Sequence, residues 1–181
     1  THMNLDSIKK VYFIGIGGIG MSALAQLLKS RGVEVSGSDM SESPVTEKLI
    51  NKGIDVTFKQ VSENITDDID LVVYTIAIPE DHPELSYAKE KGILLKTYPE
   101  MLGIVSEGTY TIAISGTHGK TTTTAMVADV LVDGGLKPTA IVGSLVSRYG
   151  SNFIEGDEKY FLVEACEYKR SFLNKIGRAH V

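Results

Sequence analysis

The sequence lacks the features expected of a secreted or membrane protein. Its single cysteine, Cys166, excludes an internal disulfide framework and fits a reducing cytoplasm. No run approaches the roughly 18 consecutive apolar residues of a membrane span. The first apolar run, residues 11–21, has no small-residue cleavage site after it and does not read as a signal peptide. We therefore expect a cytoplasmic protein with no membrane partner.

Positive charge is also scarce, since 18 lysines and arginines are outnumbered by 23 aspartates and glutamates. The formal net charge of −5 gives no basic footprint for nucleic acid. We expect no nucleic-acid partner, and an anionic ligand would need a local site. Nothing in the sequence indicates an oligomeric state.

Strands and helices alternate along residues 1–107, and this alternation predicts an α/β domain with a Rossmann-like, doubly wound parallel sheet. The predicted strands are 11–14, 33–38, 55–58, 71–74 and a fifth beginning at 94. The second helix is predicted to begin with Ser43 and Pro44. Val45, Leu49 and Ile50 are predicted to share one face of this helix.

Residues 108–175 are interpreted as a second, incomplete α/β domain of P-loop type. The predicted elements are strands at 109–115, 139–142 and 160–164, a helix at 120–133, and a hairpin or loop at 144–157. The inward positions of this helix are predicted to be Met126, Val127, Val130 and Leu131.

Both ends of the chain look foreign. Residues 1–2 precede Met3 and read as the remnant of a tag. Residues 176–181 follow a patterned segment without continuing its pattern, so we interpret them as a non-native tail. We therefore expect the natural protein to be longer.

The first glycine loop joins a predicted strand to a predicted helix and reads Gly-Ile-Gly-Gly-Ile-Gly over residues 15–20. In this pattern Gly15 permits the turn, Gly17 lets backbone approach a pyrophosphate, and Gly20 lets the helix lie close to the strand. The helix start then presents amides and a partial positive charge to an anion. Asp39 ends the second strand, where a carboxylate meets a ribose hydroxyl. The alternatives are a ligand-free turn, NAD or FAD binding, and, for Asp39, a solvated acid.

The second glycine loop, residues 116–121, reads Gly-Thr-His-Gly-Lys-Thr and ends like a P-loop. Its amides would wrap phosphates, Lys120 would neutralise them, and the Thr121 hydroxyl would reach Mg²⁺. The loop is shorter than a standard Walker A motif, because Ile114 stands where that motif requires glycine. A helix that opens with threonines at 121–124 uses poor helix formers, which favours a role for their hydroxyls. A glycine turn with an exposed lysine is the alternative.

Three single residues are interpreted separately. Glu164 ends a strand beside this loop, so it is either a magnesium contact or a strand-end acid. His118 is interpreted as a loop residue without a catalytic role. Cys166 has no histidine or second cysteine nearby and is interpreted as a small buried hydrophobic residue.

Three segments together resemble the Mur ligases: GIGGIGMSALA at 15–25, GTHGKTTTT at 116–124 and EACEYKRSFL at 164–173. The resemblance covers about residues 4–174 and is strongest to the family member that adds L-alanine to UDP-N-acetylmuramate. It implies an ATP- and Mg²⁺-dependent ligase of peptidoglycan synthesis. In such a reaction ATP phosphorylates the substrate carboxylate, and the amine of L-alanine attacks the acyl phosphate.

The resemblance also implies site residues. Catalysis would use Lys120, Thr121 and Glu164, of which Thr121 and Glu164 would bind Mg²⁺. The ATP site would comprise Gly116, Thr117, His118, Gly119, Lys120, Thr121 and Thr122. The UDP-sugar site would comprise Gly15, Gly17, Gly18, Ile19, Gly20, Met21, Ser22, Asp39, Thr75 and Ala77.

Two positions depart from the family pattern. Thr75 and Ile76 replace two serines of the family loop, so a hydroxyl contact from the second is not expected. His82 stands where the family often has asparagine.

Three alternative functions remain at this stage. Within the family, a murein tripeptide recycling ligase would use the same sugar. Outside it, the first loop alone allows an NAD(P)-dependent oxidoreductase. The third alternative is a nucleotide-binding module without enzymatic activity.

We expect this chain to bind nucleotide without ligating. The resemblance implies a later histidine, a carbamylated lysine, adenine contacts and an amino-acid-binding domain, none of which we find here. Phosphoryl transfer depends on positioning and charge stabilisation. Phosphate release with ATP, UDP-N-acetylmuramate and L-alanine should therefore stay at background, and turnover above it would contradict the expectation.

Overall fold

The computed structural model describes residues 3–146 and 149–164. Cys166 and residues 176–181 lie outside these ranges, so the predictions for them stay predictions. Contacts between residues divide the chain into two units, Thr1–Met101 and Leu102–Val181. This division falls within a helix that the sequence did not predict, α4 (Tyr98–Ser106). The boundary at 107/108 stays a prediction.

The first unit contains one parallel sheet of five strands in the order β3-β2-β1-β4-β5. Its strands are β1 (Lys10–Ile14), β2 (Glu34–Ser38), β3 (Asp55–Thr57), β4 (Leu71–Tyr74) and β5 (Leu94–Thr97). Its helices are α1 (Ile19–Ser30), α2 (Pro44–Asn51), α3 (Pro83–Glu90) and the first part of α4, with short 3-10 turns at Leu5–Ser7 and Ser62–Asn64. The prediction of a doubly wound parallel sheet is confirmed.

The start of α2 is fixed by a capping box. The Ser43 hydroxyl accepts from the Thr46 amide at 3.2 Å, and the Thr46 hydroxyl accepts from the Ser43 amide at 2.8 Å. Of the three residues predicted to share a face, Leu49 is buried and Ile50 is 46% exposed, whereas the polar residue Thr46 is buried. Thr46 can occupy the buried position because its hydroxyl is satisfied within the box.

A buried carboxylate lies at the centre of the first unit. Glu84, in the first turn of α3, has no exposed surface. It accepts hydrogen bonds from the Tyr12 hydroxyl, from Ser38 and from Asn64. A buried charge is costly unless it is fully hydrogen-bonded, so these three donors make the position tolerable.

The second unit contains a mixed sheet of four strands in the order β6-β9-β7-β8. Its strands are β6 (Tyr110–Ile114), β7 (Thr139–Val146), β8 (Ser151–Ile154) and β9 (Tyr160–Glu164), and α5 (Lys120–Asp133) lies against three of them. β6, β9 and β7 are parallel, whereas β7 and β8 form an antiparallel hairpin. The hairpin or loop predicted at 144–157 is a hairpin, but its first strand is β7 itself, which includes the strand predicted at 139–142 and continues to Val146.

The predicted inward face of α5 is partly wrong. Met126 and Val130 are 63% and 71% exposed, whereas Thr124 and Ala128 are buried. The Thr124 hydroxyl donates to the Lys120 carbonyl at 2.7 Å. Because this bond satisfies the hydroxyl of Thr124 within the helix, Thr124 can occupy a core position that hydrophobic periodicity would assign to an apolar residue.

No helix in the part of the chain that the structure describes combines the length and apolarity that crossing a bilayer requires.

We predict that the Tyr12–Glu84 contact makes the free energy of unfolding fall as the pH rises into the alkaline range. Burial and the hydrogen bond to Glu84 raise the pKa of Tyr12 above its ordinary value of 10.0. Above pH 10.0 the unfolded chain therefore loses a proton that the folded chain keeps, and the free energy of unfolding falls. Tyr12→Phe should cost about 1–2 kcal/mol at neutral pH.

Urea unfolding at several pH values between about 8 and 11, which bracket the ordinary pKa of tyrosine, measures this dependence. The stability difference between wild type and Tyr12→Phe should narrow as pH rises through 10.0. A difference that stays constant over the range would contradict the prediction.

Candidate functional site

The first glycine loop lies where the strand order of the first sheet reverses. The chain leaves β1 at Gly15, and β2 and β4 flank β1 on opposite sides. Ligands of doubly wound sheets bind at such a reversal, outside the carboxyl ends of the strands. Gly15 has a φ of +86°, and a Cβ there would lie 2.9 Å from Cγ2 of Thr75, which follows β4. The structure therefore brings together the glycine loop and the segment containing Thr75 and Ala77.

The end of β2 holds the loop in place. The Ser38 carbonyl accepts from the amides of Gly15 and Ile16, each at 2.9 Å. The Ile16 side chain is fully buried and lies over Gly37, where a Cβ would be 2.9 Å from its Cδ1. The sequence interpretation missed both Ile16 and Ser38; a glycine inside a strand was the available signal of close approach.

Asp39 turns toward the loop. Its Oδ2 accepts from the Gly17 amide at 2.7 Å and its Oδ1 from the Met40 amide at 2.7 Å. A Cβ at Gly17 would lie 2.7 Å from Oδ2, so glycine permits this contact. The Gly17 amide donates to Asp39, and the Gly18 amide donates to the Gly15 carbonyl at 3.2 Å, so an anion would meet amides further into the first turn of α1. Whether Asp39 contacts a ligand stays a prediction.

The start of α1 carries no side-chain cap. Gly18 is the N-cap residue, no side chain bonds to it there, and no acidic residue lies in the first turn. Amides in the first turn of a helix have no intrahelical acceptors and attract anions. Gly18 and Ile19 are exposed. The surface at this helix start is therefore accessible to a phosphate.

Gly20 has a different neighbour from the one predicted. A Cβ at Gly20 would lie 2.6 Å from Cζ of Tyr98, so this glycine accommodates an aromatic ring where close helix–strand approach was expected. Met21 and Ser22 are buried. The Ser22 hydroxyl donates to the Ile19 carbonyl at 2.9 Å and its amide to the Gly18 carbonyl at 2.8 Å. Their assignment to the UDP-sugar site stays a prediction.

A cavity that the sequence did not indicate opens beside α2. Its volume is about 490 Å³. It is lined by Glu42, Ser43, Pro44, Thr46, Glu47, Ile50 and Phe58. Thr46 also borders the glycine loop, since a Cβ at Gly17 would lie 2.9 Å from its Cγ2. The cavity and the loop therefore share a wall, and the volume is that of a small-molecule site.

The second glycine loop joins β6 to α5. Gly119 is the N-cap of α5 with a φ of +75°, a conformation that favours glycine. The Lys120 ammonium donates to the Gly116 carbonyl at 2.6 Å, which places the charge over the loop. Four of the remaining predicted ATP-site residues are exposed: Thr117, His118, Gly119 and Thr122. The arrangement is an exposed turn of backbone with a lysine above it.

Glu164 and Thr121 meet beside this loop. β6 and β9 are parallel with Ile114 opposite Glu164, so both strands end at the same edge. The Thr121 hydroxyl donates to Oε2 of Glu164 at 3.3 Å. The other carboxylate oxygen, Oε1, is buried and has no hydrogen-bond partner among the described residues.

An unsatisfied buried carboxylate oxygen indicates a missing partner. Mg²⁺ prefers oxygen ligands and commonly takes one or two carboxylates together with substrate phosphates and water. Within residues 3–146 and 149–164, no cluster of three or more His, Cys, Asp or Glu side chains could hold a metal by itself. Thr121 and Glu164 therefore fit a magnesium ion that arrives with phosphate, and they do not form a closed metal site.

Comparison with known proteins connects these features. Residues 10–110 match the family model described as Mur ligase family, catalytic domain. The chain is 51% identical over 174 residues to the UDP-N-acetylmuramate–L-alanine ligase of Clostridium kluyveri, covering 94% of this chain and 38% of that protein. It is also 51% identical over 170 residues to the ligase of the same name from Clostridium botulinum, covering 93% and 37%.

Solved structures give the same relationship. The UDP-N-acetylmuramate-alanine ligase of Thermotoga maritima has a TM-score of 0.75 at 34% identity, covering 86% of this chain and 36% of that one. The UDP-N-acetylmuramate:L-alanyl-gamma-D-glutamyl-meso-diaminopimelate ligase of Neisseria meningitides has a TM-score of 0.81 at 29% identity, covering 90% and 54%. The chain thus spans little more than a third of the curated relatives that it matches.

We predict that Glu164→Gln weakens magnesium-dependent ATP binding. The amide keeps the size of the side chain and removes the negative charge, so ATP affinity in Mg²⁺ should fall by roughly tenfold. Affinity in EDTA should change little. Titration calorimetry of the 181-residue chain measures both.

Glu158→Gln is the matched control, because Glu158 is an exposed acid in the same unit. It should leave both affinities at the wild-type value. Equal ATP affinity of Glu164→Gln and wild type in Mg²⁺ would argue against a metal contact at Glu164.

Proposed function

Because this chain belongs to the Mur ligase family, we propose that it carries the sugar-nucleotide-binding part and the phosphate-binding loop of an ATP-dependent ligase that joins L-alanine to UDP-N-acetylmuramate. The supporting observation is the presence of two helix starts without side-chain caps, one in each unit, each following a glycine loop. A ligase that uses a nucleotide sugar and a nucleoside triphosphate needs two phosphate sites. A nicotinamide-dependent oxidoreductase needs only the first.

The first unit is proposed to bind UDP-N-acetylmuramate. The diphosphate would lie at the start of α1, where the exposed N-cap residue Gly18 has no side-chain cap. Thr75 and Ala77 would line the other side of the reversal point. The cavity beside Thr46 would receive the nucleoside, since it shares a wall with the loop.

The second unit is proposed to bind Mg²⁺ and ATP. When bound, Mg²⁺ would neutralise charge on the phosphates. Lys120 would move from the Gly116 carbonyl to a phosphate oxygen, which is a stronger acceptor for an ammonium. Thr121 and Glu164 would hold the metal side of the site.

The proposed chemistry is acyl activation followed by amide formation. The γ-phosphoryl group passes from ATP to the carboxylate of UDP-N-acetylmuramate, which gives ADP and an acyl phosphate. The amine of L-alanine attacks the acyl carbon, the amide bond forms, and phosphate leaves. The residues described here contribute positioning and charge stabilisation to the first of these steps.

One alternative within the family has a specific observation in its favour. The ligase from Neisseria meningitides, whose name specifies a tripeptide, gives the higher of the two TM-scores reported above. The identity of 51% to the alanine ligases against 29% to this protein favours L-alanine as the amino acid.

Ligand titration of the 181-residue chain tests the sugar-nucleotide site. UDP should bind and NADH should not, with UDP-N-acetylmuramate binding at least as tightly as UDP. Tight NADH binding in the absence of UDP binding would overturn the proposal.

Gly17→Ala should weaken UDP binding, because its methyl group would lie 2.7 Å from the Asp39 carboxylate and displace the loop. Gly92→Ala is the control: its methyl group meets no atom within 4 Å. Its φ of +68° costs stability of about 1 kcal/mol away from the loop. UDP affinity should therefore be unchanged in the control.

A further inference from the structure

The buried carboxylate of Glu84 is connected to the first glycine loop through a single residue. Its Oε1 accepts from the Ser38 hydroxyl at 2.5 Å. The carbonyl of the same Ser38 accepts from the amides of Gly15 and Ile16. Ser38 therefore bonds to Glu84 with its side chain and to the loop with its backbone.

The other contacts of Glu84 fix the carboxylate in one orientation. Its Oε2 accepts from the Tyr12 hydroxyl and, at 3.0 Å, from Nδ2 of Asn64. Its amide donates to Nδ1 of His82 at 3.3 Å at the start of α3. Side chain and backbone are thus both held, and the Ser38 hydroxyl meets a rigid acceptor.

The Ser38 hydroxyl takes part in this network both as a donor and as an acceptor. It donates to Glu84 and accepts from Nε2 of Gln60 at 3.1 Å. Both Ser38 and Glu84 have no exposed surface, so water does not compete for these bonds. A buried, satisfied hydrogen-bond network is rigid, so the position of Glu84 constrains the position of Ser38.

We propose that Glu84 is a positioning residue for the first glycine loop, acting through the Ser38 hydroxyl to set the carbonyl that holds Gly15 and Ile16. This inference rests on the proposed function of that loop in binding the diphosphate of a sugar nucleotide. A buried ionisable side chain contributes little net stability compared with an apolar one, so stability alone does not account for Glu84 at this position. The three donors around Glu84 serve orientation.

Two substitutions that each remove one hydroxyl from the same carboxylate test the inference. Ser38→Ala removes the donor to Oε1, and the carbonyl of that same residue holds the loop, whereas Tyr12→Phe removes a donor to Oε2. Both should lower stability, because each leaves Glu84 with one donor fewer. Only Ser38→Ala should raise the dissociation constant for UDP, by about threefold to tenfold.

Hydrogen exchange provides a readout that needs no ligand. In Ser38→Ala the amides of Gly15 and Ile16 should exchange about tenfold faster relative to the β1 amide of Phe13. In Tyr12→Phe this ratio should stay at the wild-type value. Equal effects of the two variants on exchange and on UDP affinity would overturn the inference.

Glu84→Gln completes the set, since its carbonyl oxygen can still accept from Ser38. It should retain more UDP affinity than Glu84→Ala, which removes the acceptor. If the wild-type chain binds no UDP, the proposed function fails, and the exchange ratio still decides whether Glu84 holds the loop. If UDP binds equally to wild type and Ser38→Ala, the positioning inference alone fails.

Discussion

Parallel pairing of neighbouring strands decides where both candidate sites lie. In the first unit β1 and β4 run in the same direction, so the glycine loop and Thr75 emerge at one edge of the sheet. In the second unit β6 and β9 do the same for the second loop and Glu164. Strand direction therefore brings together residues that are distant in the sequence. The sites depend on this strand direction before they depend on any side chain.

The two candidate phosphate loops differ in their electrostatics. The second loop has an ammonium above it and, beside it, a carboxylate with a buried oxygen that has no partner within residues 3–146 and 149–164, which suits a metal and a highly charged phosphate. In the first loop, the Gly17 amide donates to the Asp39 carboxylate. The contacts described above for this loop, all within the part of the chain that the structure describes, include no lysine or arginine side chain. A diphosphate that carries less charge needs less compensation, and backbone amides at a helix start can provide it.

The strand–loop–helix order of both units could be predicted from the sequence because glycine, proline and apolar runs mark it directly. The inward faces of α2 and α5 could not be predicted fully. Thr46 and Thr124 can be buried because their hydroxyls donate to nearby backbone carbonyls. The spacing of apolar residues carries no information about such hydrogen bonds. Glu84 was missed for a related reason. An acid in the first turn of a helix normally reads as a surface residue that suits the helix dipole, and its partners Tyr12 and Ser38 are remote in the sequence.

The close approach of β7 to Glu164 restricts which side chains position 143 can accept. A Cβ at Gly143 would lie 2.2 Å from Oε2 of Glu164 and 3.5 Å from the Thr121 hydroxyl. Any larger residue would therefore have to push the carboxylate away from the threonine. A substitution at this position would therefore act indirectly, by changing the orientation of the neighbouring carboxylate.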